Sequence, residues 1–254
     1  MAYPYGWTAS DVEKGIDLAY RFGAEPQDLF ALWYHESAGL DPRIGPTFGN
    51  YYGLIGGWDP FISGIIGASW KDIVKTGTIA QQLNAIEKVM RHHERQLGET
   101  FASRASRIGT TPAAMIYAMN FVPAYAMRIK NANDVLIGGN DAYYRQNPAF
   151  DTEKKGYISI RDLEEKIEKV KGMMARSNVA SIYQDLPAAN PYARAGVITR
   201  IFSSPSGGTN WKLILGVLGI SAATYTALVY AKQVPSPKRL FAGEGKRRRR
   251  RLAA

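Results

Sequence analysis

Apolar residues recur at helical spacing through most of the chain before residue 177. Val12, Ile16, Ala19 and Tyr20 share one face of a predicted helix. Ser10 would cap it, with Glu13 reaching back as a capping box, and Gly23 would end it. Pro26 suits the first position of the next helix. There Leu29, Leu32, Trp33 and Glu36 stand at i, i+3, i+4 and i+7, so a carboxylate shares the apolar face. His35 points roughly 100° away. Glycines and prolines among aromatics from Gly39 to Gly57 predict loops or short strands. Thr78 and Gln81 form a second capping box, opening a helix through Leu83, Ile86, Val89, Met90 and Leu97. Thr111 as N-cap and Pro112 at the first helical position begin an apolar run to Asn120, the pattern of a central helix that Pro123 ends or kinks. Residues 133–146 read as a helix or two short turns, and Arg161 to Arg176 as a charged helix.

Two later stretches break this pattern. Residues 203–210, rich in Ser, Pro and Gly, read as a linker. Leu213 to Ala231 carries no charged residue, close to the roughly 20 residues that cross a bilayer. Trp211 and Lys212 flank it on one side, Tyr230 and Lys232 on the other, as interfacial anchors do. The expected fold is therefore mainly α, with a C-terminal transmembrane helix. Residues 1–150 form a first domain, 151–202 a helical extension, 203–210 the linker, 211–231 the span and 232–254 a basic tail.

Charge sharpens this division. From Lys232 onward there are nine Lys or Arg and one acid, so all but about +2 of the net +10 belongs to the tail. Its run Arg247–Arg251, without interleaved aromatics, suits phosphates of DNA or of anionic lipid without sequence preference. By the positive-inside rule the tail is cytoplasmic and the Glu36 domain lies across the membrane, facing the periplasm. The opening residues MAYPYGWTAS have neither a basic nor an apolar signal region. With no cysteine there is no disulfide framework and no Cys-based zinc site. Adjacent His92 and His93 cannot face one metal from a helix. Asp151 to Asp162 has the outline of an EF-hand loop, but Lys155 stands where an oxygen ligand is needed and Asp162 replaces the bidentate Glu, so a structural turn is expected. No metal and no cofactor are expected.

Glu36 is the strongest chemical candidate. Breaking a glycosidic bond requires protonating the leaving oxygen, and burial among apolar groups raises a carboxyl pKa enough to do so near neutrality. Spacing alone leaves a solvated or salt-bridged glutamate the commoner outcome. Glu36-Ser37, Asn50-Tyr51-Tyr52-Gly53-Leu54-Ile55 and Tyr117-Ala118-Met119-Asn120, in this order over about residues 10–150, resemble the motifs of the goose-type lysozyme and soluble lytic transglycosylase family. Gly56 stands where that family usually has Gln, and Met119 where it usually has Tyr.

The resemblance implies a mostly helical, lysozyme-like domain that cleaves peptidoglycan between N-acetylmuramic acid and N-acetylglucosamine. It implies Glu36 as the general acid and later base. Ser37, Tyr52, Gly53, Leu54 and Ile55 would line the cleft, the last three presenting backbone groups to the sugars. Asn120 would hold an N-acetyl group or Glu36, and Tyr117 or Tyr125 would supply the hydroxyl absent at Met119. A hydrolytic route with inversion would need a second carboxylate roughly 6.5–9.5 Å away, for which Asp41 and Asp59 are candidates; the transglycosylase outcome needs only one. The combination suggests a bacteriophage virion protein, membrane-anchored, in contact with glycan strands and other virion proteins and opening the wall during genome entry. A retired lysozyme fold serving as a structural or genome-ejection component is the alternative, favoured by Gly56 and Met119.

Overall fold

The structure, a computed structural model, describes residues 3–45 and 49–187. After a 3-10 turn at Pro4–Gly6 come helices α1 (Ala9–Arg21) and α2 (Pro26–Glu36), then a hairpin of strands β1 (Tyr51–Tyr52) and β2 (Gly57–Trp58). Helices α3 (Asp59–Ile66), α4 (Trp70–Thr76), α5 (Ile79–Leu97), α6 (Phe101–Ile108), α7 (Pro112–Phe121) and α8 (Pro123–Ala126) follow. Strand β3 (Val135–Gly138), helix α9 (Ala142–Gln146), strand β4 (Tyr157–Ser159) and helices α10 (Ile160–Met174) and α11 (Ala180–Asp185) complete the described residues. The protein is mainly helical, as the periodicity predicts.

Local chemistry places most of these boundaries. Thr78 and Gln81 make the expected capping box of α5, and the Thr111 side chain accepts the Ala114 N–H at the start of α7. An N-cap of this kind stabilises a helix by about 1 kcal/mol. Pro123 ends α7, with Val122 at a non-helical φ of −145°. The first helix corrects the reading. Its box is Thr8 with Asp11, not Ser10 with Glu13. Both pairs fit the pattern, but only Thr8 puts apolar residues, Trp7 and Val12, at the two positions of a hydrophobic staple, and both are buried. Residues 133–146 hold a strand before a helix. Val135–Gly138 pairs antiparallel with Tyr157–Ser159, a partner too distant in sequence for local periodicity to reveal. Helix α6 is not among the predicted elements; Thr100 caps it, Gly109 ends it, and Phe101, Arg104, Ala105 and Ile108 form its buried face.

α2 is the axis of the described core. Leu29, Phe30, Ala31, Leu32 and Trp33 are all buried, so it is enclosed on nearly every side and does not merely present one face. α10 packs on it most extensively, and α1 and α7 also touch it. Each buried Leu or Phe contributes about 1.5–3 kcal/mol. The Lys171 ammonium binds Asp28 at 2.7 Å, tying α10 to the first turn of α2. α10, which sequence alone assigns to an extension, thus shares the core with α2 and α7. These residues belong to one compact unit.

Lys155, in the turn that leads into β4, is held by two carboxylates. Its ammonium lies 2.7 Å from Asp162 Oδ1 and 3.4 Å from Glu153 Oε2, so the chain supplies its own cation there. Among the described residues no cluster of ligands fits a metal, and no helix is long and apolar enough to cross a membrane. The predicted span at 211–231, the linker at 203–210 and the Arg247–Arg251 tail lie outside the described residues.

Candidate active site

Glu36 is the last residue of α2. The helix delivers it half-buried, above a core of Leu32 and Trp33, facing the hairpin turn and α7. The turn Gly53-Leu54-Ile55-Gly56 joins β1 to β2, and the Gly56 N–H closes it on the Gly53 carbonyl at 3.0 Å. Gly56 adopts φ +53°, a conformation open to glycine at little cost. Its open side faces the acid: a methyl group built there would lie 2.6 Å from Glu36 Oε2.

Tyr117 approaches from α7. Its hydroxyl is buried and completes no well-formed hydrogen bond among the described residues, yet it lies near enough to Glu36 for the two to perturb each other. Burial pushes the Glu36 carboxyl up to about 7, partly offset by the phenol. Burial, and then the neighbouring carboxylate, push the Tyr117 phenol well above its usual range. Among the described residues no cation contributes to the Glu36 shift, and desolvation is its largest cause. Aromatic rings enclose this corner. His35 and Phe150 both meet the Tyr117 ring edge-on, at 6.2 and 5.8 Å between centroids, and Phe121 lies beside Phe150. Burial, and then Lys166, lower the His35 imidazole to about 4, so it is neutral at physiological pH.

The remaining predicted residues divide into two groups. Asn120 is near the acid through the turn: its side-chain N–H donates to the Ile55 carbonyl at 2.8 Å. Ser37 is fully buried and donates its hydroxyl to the Trp33 carbonyl at 2.6 Å, closing the last turn of α2. Tyr52, Leu54 and Ile55 are buried beneath the hairpin, and most backbone groups of the turn are engaged within the fold. The Gly53 N–H donates to the Ile44 carbonyl at 3.2 Å and the Leu54 N–H to Gln82 at 3.4 Å, while the Tyr52 carbonyl accepts from the Trp70 indole at 3.0 Å. Gln82 holds the Pro42 carbonyl with its amide at 2.6 Å, which makes this buried side chain a brace for the turn. Tyr125 donates to Asp141 at 2.8 Å on the surface. Asp41 accepts the Arg43 N–H at 2.9 Å, and Asp59 caps its surroundings by accepting from Ser63 and from the Lys71 N–H.

Two hairpin residues, Tyr51 and Trp58, are not among the predicted site residues. They are direct cross-strand partners, so their side chains share one face, and about half of each is exposed. Aromatic residues on both sides of a glycine-rich turn are the signal that the sequence holds. A separate hollow of about 210 Å³ between α1 and α5, lined by Glu13, Lys14, Asp17, Arg21 and Glu87, contains none of these residues. No family model matches the chain, and no curated protein or solved structure matches it.

Proposed function

We propose that Glu36 is the general acid of a peptidoglycan-cleaving, lysozyme-like domain, acting as a lytic transglycosylase. The observation that carries this reading is a buried carboxyl at the end of α2, with no cationic partner among the described residues and a pKa pushed up to about 7. A carboxyl of that kind is protonated often enough to donate and ionised often enough to accept. In the proposed step Glu36 gives its proton to the glycosidic oxygen as that bond breaks. The substrate's acetamido oxygen attacks the anomeric carbon. The Glu36 carboxylate then takes the proton of the muramyl 6-hydroxyl as that oxygen closes the anhydro ring and expels the acetamido group. Neither Asp41 nor Asp59 is needed. The exposed Tyr51–Trp58 pair supports a sugar ligand, because flat amphipathic rings suit the C–H faces of pyranoses.

In this reading a virion-borne chain would use the 211–231 segment as its membrane anchor, hold the domain on the periplasmic side, and place the Arg247–Arg251 tail on DNA or anionic lipid. A second reading, a structural or genome-ejection component without catalysis, draws support from the turn, whose backbone groups are largely spent inside the fold. Clearing of purified peptidoglycan by the full chain in detergent separates the two. Wild type should clear it and release anhydro-ended fragments, and Glu36→Gln should lower the rate by about 10²–10⁴-fold. Equal rates for both proteins would remove Glu36 from the chemistry.

A further inference from the structure

The resemblance treats Gly56 as a lost side chain and Asn120 as a direct ligand of an N-acetyl group or of Glu36; the geometry assigns them a joint task through the turn. We propose that the Gly53–Gly56 turn, pinned by Asn120, is the seat that positions Glu36, so that Asn120 and Gly56 act through the acid and not on the substrate. This rests on the reading of Glu36 as the acid.

Three links make the seat. Asn120 donates from its side chain to the Ile55 carbonyl at 2.8 Å, fixing the turn from α7. The Gly56 N–H closes the turn on Gly53 at 3.0 Å. The bare face of Gly56 then meets the carboxylate, where a Cβ would lie 2.6 Å from Oε2 and 3.7 Å from the Glu36 Cβ and carboxyl carbon. Space that a side chain would fill is occupied by the acid itself. α7 reaches the carboxylate a second time through Tyr117, three residues before Asn120 and therefore on the same side of that helix. One helix thus bears on both the acid and its seat. Tyr117 is the titratable group that α7 turns toward Glu36, and His35, next to it on α2, faces Tyr117 and Phe150. A Cβ at residue 56 would drive the carboxylate toward water; loss of the Asn120 bond would let the turn recede and admit water. Either change weakens the desolvation that keeps the acid protonated.

The test is the titration of Glu36 in the full chain, followed by carbon-13 labelling of glutamate carboxyls and assigned by its loss in Glu36→Gln. In Gly56→Ala and in Asn120→Ala the midpoint should fall by about one unit or more from its wild-type value. Gly98→Ala is the control: Gly98 has φ +70° and nothing within 4 Å of its open face, so it carries a similar backbone strain without touching the acid. Its Glu36 midpoint should equal that of wild type. Asn120→Ala should also lower kcat with KM little changed, whereas a substrate ligand would raise KM and leave the titration where it was. A midpoint unmoved or raised in either Gly56→Ala or Asn120→Ala overturns the proposal. If wild type cleaves nothing while both midpoints fall, the seat stands and the enzymatic reading fails.

Discussion

Asp162 and Glu36 are both acids near the end of a core helix, the first fully buried and the second half-buried with its carboxyl desolvated, and their surroundings could hardly differ more. Asp162 lies at the start of α10, where the positive end of the helix favours a negative charge. Its Oδ2 accepts from the Ser159 N–H at 2.7 Å and the Ser159 hydroxyl at 2.6 Å, and its Oδ1 takes the Lys155 ammonium at 2.7 Å. Glu36 lies at the far end of α2, where the helix pole is negative, and its neighbours are the Tyr117 phenol and a bare glycine. Burial with full pairing fixes a charge in place and makes structure. Burial without a counter-charge leaves a proton loosely decided, which is what acid catalysis uses. A buried acid therefore says little about function until its partners are counted.

The contrast is broken most forcefully at Asp162. Asp162→Ala removes a buried cap and a buried ion-pair partner together, so the full chain should lose about 3 kcal/mol of stability, read as a fall in Tm of roughly 6–12 °C. A loss below about 0.5 kcal/mol in thermal or denaturant unfolding would show that the pairing holds nothing.

At Glu36 the expected sign is opposite. Its folded-state pKa, about 7, exceeds the ordinary 4.5, so between those values the folded chain binds more protons than the unfolded one. Wild-type stability then falls as pH rises from 4.5 to 7, and the deficit is complete above 7. Glu36→Gln removes it. The variant should be more stable than wild type at pH 8, by on the order of 1–3 kcal/mol, with the difference vanishing toward pH 4. A pH-independent difference, or a less stable variant at pH 8, would place the carboxylate in a paired setting after all.

The smallest effect concerns metal. Because Lys155 already stands between Glu153 and Asp162, millimolar calcium should leave the Tm of wild type unchanged. A calcium-dependent rise of a few degrees would mean that the lysine yields its place.

Much of this was legible before any coordinates, where the cause was local. Pro26, Thr78 and Thr111 announce their helices because caps and first-turn prolines act within four residues. At α1 the cap is Thr8 and not the predicted Ser10, because the buried Trp7 before it packs at the staple position, which a cap pattern alone does not show. Strand β3 was illegible because its partner is β4, beyond α9 and the Lys155 turn. At the site, the position of Glu36 on its helix could be read, but its seat could not. That Gly56 faces the carboxylate and that Asn120 reaches Ile55 are facts of packing between segments distant in sequence. A missing side chain leaves no trace in a sequence of what fills its space.

The central claim is that the unpaired, buried Glu36 is the working acid, and the pH dependence of peptidoglycan cleavage tests it most directly. Activity of the full chain should decline on the alkaline side with a midpoint near 7, the pKa of the buried carboxyl, and fall by about 10²–10⁴-fold in Glu36→Gln. Cleavage that holds undiminished through pH 9, or that proceeds at the wild-type rate in Glu36→Gln, would contradict it.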